Sequence, residues 1–270
     1  MDVLMIAAVA SMSTLAVIFA AILAFADKKL KIEEDPKIER ITAILPGVNC
    51  GACGYLSCHD YAKHIVEEDV NPAKCRVVGD EQRAEICSIM AREAPAVIPK
   101  VALVRCAARW PEKKRACEYK GARTCRDANI IFGGGMFCQY GCIGFGDCVY
   151  VCPFDALGMK DGLPIVNLKK CTGCGKCAAA CPRKIIKIEE KPNDTLFYVA
   201  CNSHDDTARV KEICSVGCIA CGICEKLSQE RFFIVKDNLS EADYSKQTKT
   251  AGAELERLAS KCPTKVIKRY

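Results

Sequence analysis

The sequence predicts an α+β chain: a single N-terminal transmembrane helix followed by a string of small cysteine-built modules. Three observations predict it. Residues 3–26 carry no charge. Cysteine is the most unusual component, 22 residues in 270 against one Trp and 7% aromatics, which is too little bulky apolar material for one large core. The cysteines come in short runs, and between the runs lie short apolar strands (99–106, 184–190 and 196–201) and short helical patterns. Cysteine at this density implies disulfides in an oxidising compartment and metal in a reducing one.

The first element is residues 1–26. As a helix, VLMIAAVASMSTLAVIFAAILAFA would reach roughly 36 Å, enough to cross a bilayer with some tilt. Only Asp2 precedes it, whereas Asp27, Lys28, Lys29 and Lys31 follow at once. The positive-inside rule therefore predicts a single-pass protein of the cytoplasmic membrane, with residues 27–270 in the cytoplasm. A secretory signal peptide cleaved after Ala24-Phe25-Ala26 is the competing reading; the missing basic leader and the long apolar run argue against it. The segment holds no acid or base, so it reads as an anchor rather than an ion path, with Ser11, Ser13 and Thr14 available to a partner helix. Residues 27–46 are a charged connector.

Residues 47–95 form the first cysteine module, spaced Cys50-x2-Cys53-x4-Cys58-x16-Cys75. Gly51 and Gly54 permit turns tight enough for backbone to approach a metal centre. From Cys58 the pattern is helical, with Tyr61, Ala62, Ile65 and Val66 on one face, and this helix carries the chain away before Cys75 returns as fourth ligand. A [4Fe–4S] cluster is the reading, with zinc the competing metal. His59 and His64 read as helix-surface residues, because four cysteines already complete the set. A second helix (EQRAEICSIMAREA) ends before Pro95 and holds Cys87 as a buried thiol.

Residues 96–132 are a basic segment. Its strand ends in Cys106, and from Arg105 to Arg126 eight basic residues stand against two acidic ones, with Cys117 and Cys125 among them. Gly133-Gly134-Gly135 reads as a flexible entry to the next module; no GK[ST] follows, so it is not a phosphate loop.

The module at 133–190 carries the most specific signal. Cys171-x2-Cys174-x2-Cys177-x3-Cys181-Pro182 is the run with which bacterial ferredoxins hold cubane clusters, and Cys138-x3-Cys142-x5-Cys148-x3-Cys152-Pro153 is a looser version. In two-cluster ferredoxins the fourth cysteine of each run serves the other cluster. This assigns Cys138, Cys142, Cys148 and Cys181 to one [4Fe–4S] cluster, and Cys171, Cys174, Cys177 and Cys152 to the other. Proline after each fourth cysteine stops the turn. A pair of zinc sites fits poorly, since zinc favours two separated C-x2-C knuckles.

Residues 191–270 begin with a turn at Lys191-Pro192-Asn193-Asp194 and a strand ending in Cys201, echoing the strand that ends in Cys106. That echo suggests duplicated elements. Cys218-x2-Cys221-x2-Cys224 follows, but the fourth position of the ferredoxin run is Ser228. Counting back from Cys262-Pro263, the second run has Gly252, Leu255 and Leu258 in its first three positions. Under the exchange rule one complete ligand set is lost and the other kept. A one-cluster, degenerate ferredoxin domain is therefore expected, held by Cys218, Cys221, Cys224 and Cys262, with Leu255 and Leu258 on a helix that fills the lost site. Cys214 replacing Cys262 is the alternative. The final 40 residues otherwise read as mostly helical. A fifth site built from Cys106, Cys125, Cys201 and Cys214, with Cys117 as a substitute, competes with buried free thiols. Each cluster with its thiolates adds a charge of about −2, so four of them outweigh the formal +6.

Taken together, the apolar helix, the Cys50–Cys75 spacing, GCIGFGDCVYVCPFDAL, GLPIV and CTGCGKCAAACPRKII resemble the B subunits of Rnf complexes. These are ion-translocating ferredoxin:NAD oxidoreductases of bacterial membranes. The segment around Cys106–Cys125 and the cysteine-bearing tail resemble the long form found in anaerobes. The resemblance implies a translocase subunit that relays electrons between soluble ferredoxin and the membrane and NAD-linked subunits. Four [4Fe–4S] clusters are expected, with room for a fifth, and the oxidoreductase activity belongs to the complex. The chain shows no catalytic residues, no flavin or nicotinamide fingerprint, and nothing that asks for a nucleic-acid partner. An electron-transfer subunit of another membrane hydrogenase or reductase, and an iron–sulfur sensor or scaffold, are the alternative readings. The basic segment is a candidate dock for an acidic ferredoxin, a solvated loop being the plainer reading.

Overall fold

The computed structural model describes residues 2–30, 34–191, 195–228, 230–246 and 252–270; Lys31 and the expected turn residues Pro192, Asn193 and Asp194 lie outside them. Helix α1 (Asp2–Leu30) is continuous, and its large side chains are exposed on every side, from Val9 and Met12 to Leu23 and Phe25. A helix that is apolar all round and packs on nothing in its own chain matches lipid, not water. Ser11 Oγ donates to Ala8 O at 2.9 Å and Thr14 Oγ1 to Ala10 O at 2.7 Å. Those two hydroxyls are therefore satisfied within the helix and need no partner helix.

The first module packs α2 (Pro36–Ile44), α3 (Cys58–Glu67) and α4 (Asp80–Ile89) around Ile38, Ile41, Tyr61, Ala62, Ile65 and Ile86. Asp35 and Ser57 cap the first two, accepting from Lys37 N at 2.8 Å and Asp60 N at 2.9 Å. Cys87 is buried on α4, as its place in the pattern implied.

The rest of the chain repeats one pattern twice. In the first half, β1 (Lys100–Val104) leads through α5 (Cys125–Ile130) and α6 (Asp147–Tyr150) to the hairpin of β2 (Leu157–Lys160) and β3 (Leu163–Val166). Helix α7 (Lys176–Ala180) and β4 (Ile186–Glu190) follow, and β4 runs antiparallel to β1, with Lys100 opposite Glu190 and Val104 opposite Ile186. In the second half the same course runs from β5 (Phe197–Val199) through α8 (Thr207–Ile213) and α9 (Ile223–Leu227) to the hairpin of β6 (Phe233–Lys236) and β7 (Leu239–Ala242). Then α10 (Gly252–Lys261) and β8 (Ile267–Arg269) close it, with β8 antiparallel to β5. The hairpins turn at Asp161-Gly162 and Asp237-Asn238, all four at positive φ, as two-residue turns require.

Strand β1 is the wall between the halves. Its alternation sends Ala102 and Val104 into the first half's core, and Val101 and Leu103 into the second's, against Leu196, Phe197, Phe232 and Leu258. Two expectations are corrected. The tail is not mostly helical, because the β-forming run Phe232–Val235 and the Asp237-Asn238 turn make a hairpin there. The Gly133–Gly135 stretch is a packed joint rather than a flexible entry. All three have φ between 59° and 71°, a Cβ on Gly134 would lie 3.3 Å from the Ala128 Cβ, and Gly135 O accepts from Ala116 N at 2.8 Å.

Candidate metal centres

Cys50, Cys53 and Cys58 come from one loop, bent where Gly54 N donates to Gly51 O at 3.0 Å. Cys58 opens α3 with its N–H held by Asn49 Oδ1 at 2.7 Å, and Cys75 follows a turn of 3-10 helix at Pro72–Lys74. Burial pushes the Cys75 thiol up, and the nearby Cys53 and Cys50 push it further. His59 faces Glu34 at 3.1 Å, and His64 Nδ1 meets Asp60 O at 2.7 Å. These contacts lie within the helical surface.

Cys171, Cys174 and Cys177 gather with Cys152. Burial pushes Cys177 up to about 12, followed by Cys171 and Cys174, with Cys152 also adding. Cys152 Sγ accepts from Ala156 N at 3.4 Å. The first module lies alongside: Arg76 Nη1 is 3.5 Å from Gly173 O, and Cys50 contributes to the upward shift of Cys174. A cleft between Cys53 and Cys171 is lined by Lys74, Arg76 and Lys100.

The looser run is distributed differently from its sequence assignment. One cavity is lined by Cys142, Cys148 and Cys181 together with Cys125. Asp147 builds this corner, its Oδ1 and Oδ2 accepting from Cys125 N at 2.8 Å and Arg126 N at 3.1 Å. Cys142 and Cys148 are pushed up to about 12, mainly by burial; Lys113 lowers Cys142 while Cys106, Cys125 and Cys181 raise it, and Cys142, Cys125 and Cys181 raise Cys148. Cys138 instead lines a second cavity with Cys106, Cys201 and Cys214. Thus Cys125, expected with Cys106, and Cys138, expected with Cys142, stand in each other's places. The loop Cys138–Cys142 runs between the two cavities, since Cys142 borders both of them and Cys138 only the second. Arg183 holds that loop, donating from Nη1 to Cys138 O and Gly141 O and from Nη2 to Gly133 O, each at 2.7 Å.

Cys218, Cys221, Cys224 and Cys262 line one cavity, and Cys214 is not among them. Leu255 and Leu258 are buried on α10, and the Ser228 hydroxyl accepts from Phe232 N at 2.9 Å. Cys117 is exposed.

Part of the basic segment is engaged by the fold, while Lys114, Arg115, Lys120, Arg123 and Arg126 are exposed. Lys113 is buried with Nζ on Gly162 O, Lys114 Nζ meets Glu212 O at 2.5 Å, and Arg105 pairs with Glu241 at 2.9 Å. Lys120, Arg123 and Arg126 remain exposed, close in sequence to exposed Ile130, Ile131 and Phe132.

These groups suit an iron–sulfur core. Burial and mutual repulsion favour neutral thiols, so thiolates there need a compact cation among them, which a cubane core supplies. A zinc ion asks for four sulfurs about 2.3 Å from one point. Among the described residues, no three Cys, His, Asp or Glu are placed to hold a single metal ion.

Comparison with known proteins agrees. Residues 45–77 match a family described as a putative Fe-S cluster, and residues 141–186 match a 4Fe-4S dicluster domain. The chain is 36% identical to the B subunit of the Na(+)-translocating ferredoxin:NAD(+) oxidoreductase complex of Acetobacterium woodii, over 85% of this chain and 68% of that one. It is 34% identical to the B subunit of the ion-translocating oxidoreductase complex of Methanosarcina acetivorans, over 99% of each. It is also 36% identical to the B subunit of the proton-translocating ferredoxin:NAD(+) oxidoreductase complex of Clostridium ljungdahlii, over 95% of this chain and 89% of that one. The chain belongs to the B-subunit family of Rnf-type ion-translocating oxidoreductase complexes, and is an iron–sulfur electron-transfer subunit.

Proposed function

We propose that this chain is the membrane-anchored relay that takes electrons from soluble ferredoxin and passes them to the membrane and NAD-linked subunits of its complex. Helix α1 is the single-pass anchor, with the cysteine modules on the cytoplasmic side where Lys28 and Lys29 follow the apolar run. Clusters bound by the cysteine groups supply one-electron exchange, with potentials set by burial, hydrogen bonds and charge. The residues of the chain hold the groups close, screen them, and place cations between them. The observation that supports this reading is adjacency: Cys53 and Cys171 border one cleft, and Cys148 and Cys177 share one buried cluster, so each cysteine group has the next as its neighbour.

An acidic ferredoxin fits the exposed surface of Lys120, Arg123 and Arg126 with the neighbouring Ile130 and Phe132. Stopped-flow mixing of reduced ferredoxin with the full-length protein tests this. Bleaching of the cluster absorbance is expected, and reversal of Lys120, Arg123 and Arg126 to Glu should slow it most at low salt. No reduction by ferredoxin contradicts the relay. Reduction at an unchanged rate at low ionic strength contradicts this docking surface.

A further inference from the structure

The two halves of the cysteine-rich region carry one feature in duplicate that neither ferredoxin run uses. Each central strand is followed closely by a cysteine, Cys106 after β1 and Cys201 after β5. Each half then has a C-x2-G-C segment, Cys138–Cys142 and Cys214–Cys218, whose last cysteine opens the ferredoxin run. In each segment the glycine sits against the leading sulfur. A Cβ on Gly141 would lie 3.3 Å from Cys138 Sγ, and one on Gly217 would lie 3.6 Å from Cys214 Sγ. Both strand-end sulfurs also accept from a backbone N–H: Cys106 Sγ from Cys142 N and Cys201 Sγ from Ser203 N, each at 3.5 Å. The four unused cysteines, two from each half, line one cavity, which Cys142 also borders.

The register explains why Cys138 is free to join them. Counting back from Cys152-Pro153 at ferredoxin spacing gives Cys148, Phe145 and Cys142. Phe145 stands where the second ligand belongs, and its ring packs on Tyr119 with centroids 5.7 Å apart. Cys125, placed by Asp147, supplies the missing thiol from outside the run.

We infer that Cys106, Cys138, Cys201 and Cys214 form a fifth [4Fe–4S] site at the junction of the two halves, and that Cys125 completes the site of Cys142, Cys148 and Cys181. This rests on the reading that the other four-cysteine groups hold clusters. The fifth site makes the series of neighbouring groups continuous. Its Cys106 Sγ lies 3.5 Å from Cys142 N on one side, and its Cys201 shares a buried cluster with Cys218 and Cys262 on the other. All five sites then follow one another from Cys50 to Cys262, and each transfer oxidises one cluster and reduces its neighbour by one electron. Twenty of the 22 cysteines become ligands, leaving Cys87 and Cys117.

The test uses the full-length protein, purified anaerobically in detergent. About 20 iron and 20 acid-labile sulfide per chain are expected, and about 16 of each overturns the fifth site. Zinc without sulfide would instead overturn the cluster reading beneath it. Paired variants decide the ligand sets. Cys138→Ala with Cys214→Ala touches one site and should remove about four iron, whereas Cys125→Ala with Cys214→Ala touches two and should remove about eight. Any other pattern overturns the exchange of Cys125 and Cys138. The count on the unvaried protein needs no variant, and the Cys→Ser versions repeat the paired comparison if an alanine pair fails to fold.

Discussion

At the scale of residues, the thiols set the terms of assembly. Burial holds Cys142, Cys148 and Cys177 up at about 12 and Cys201 at about 11, against 9.0 for an ordinary thiol. Raised values favour the neutral form in the metal-free protein; that contribution is complete below pH 9 and is lost as pH rises toward 12. Coordination requires thiolates, so cluster loading works against these protons. Transfer to the metal-free protein at about pH 7 of a preformed cluster whose displaced ligands are chloride, and so take up no protons, should release about four protons per site, and loading should strengthen as pH rises from about 6 to about 9. Calorimetry in buffers of different ionisation enthalpy measures the release. Arg183 sits on the Cys138–Cys142 loop, and both cysteines add to the charge it feels. Arg183→Met should lower the potentials of the flanking clusters by roughly tens of millivolts and cost about 2–4 kcal/mol through stranded carbonyls. Spectroelectrochemical titration and chemical denaturation read the two effects. At this scale the grouping of the cysteines was legible wherever they were local. Cys50, Cys53 and Cys58, or Cys171, Cys174 and Cys177, are neighbours on one loop. The place of Cys125 was not legible, because it depends on Asp147 across the fold, although the misfit of Phe145 to the ferredoxin register was there to be counted.

At the scale of elements, two of the positions where the second half departs from the ferredoxin run are core. Leu255 and Leu258 on α10 are 2% and 1% exposed, and both belong to the core that β1 shares with β5 and Phe232. Leu258→Ala should destabilise the protein by about 2–5 kcal/mol while leaving its iron content unchanged, as anaerobic urea denaturation and iron analysis would show. Loss of iron would mean that α10 still serves a cluster. The α10 expectation was readable from the ferredoxin register alone. The β6–β7 hairpin was not, because the polar residues around it masked a short alternating run. In the basic segment charge is visible in sequence, but the burial of Lys113 against Gly162 is not.

At the scale of the molecule, two ferredoxin halves share β1 as a common wall, and the four-cysteine module of the anchored end sits beside the first half through Arg76 and the Cys50–Cys174 approach. On the proposed function, electrons entering at the ferredoxin halves leave through the Cys50–Cys75 site. The most direct measurement is rapid mixing of reduced ferredoxin and NAD with the assembled complex carrying Cys53→Ala. The account predicts that the remaining clusters of this chain are reduced at the unaltered rate while NADH formation is abolished. Full NADH formation in that variant would contradict it.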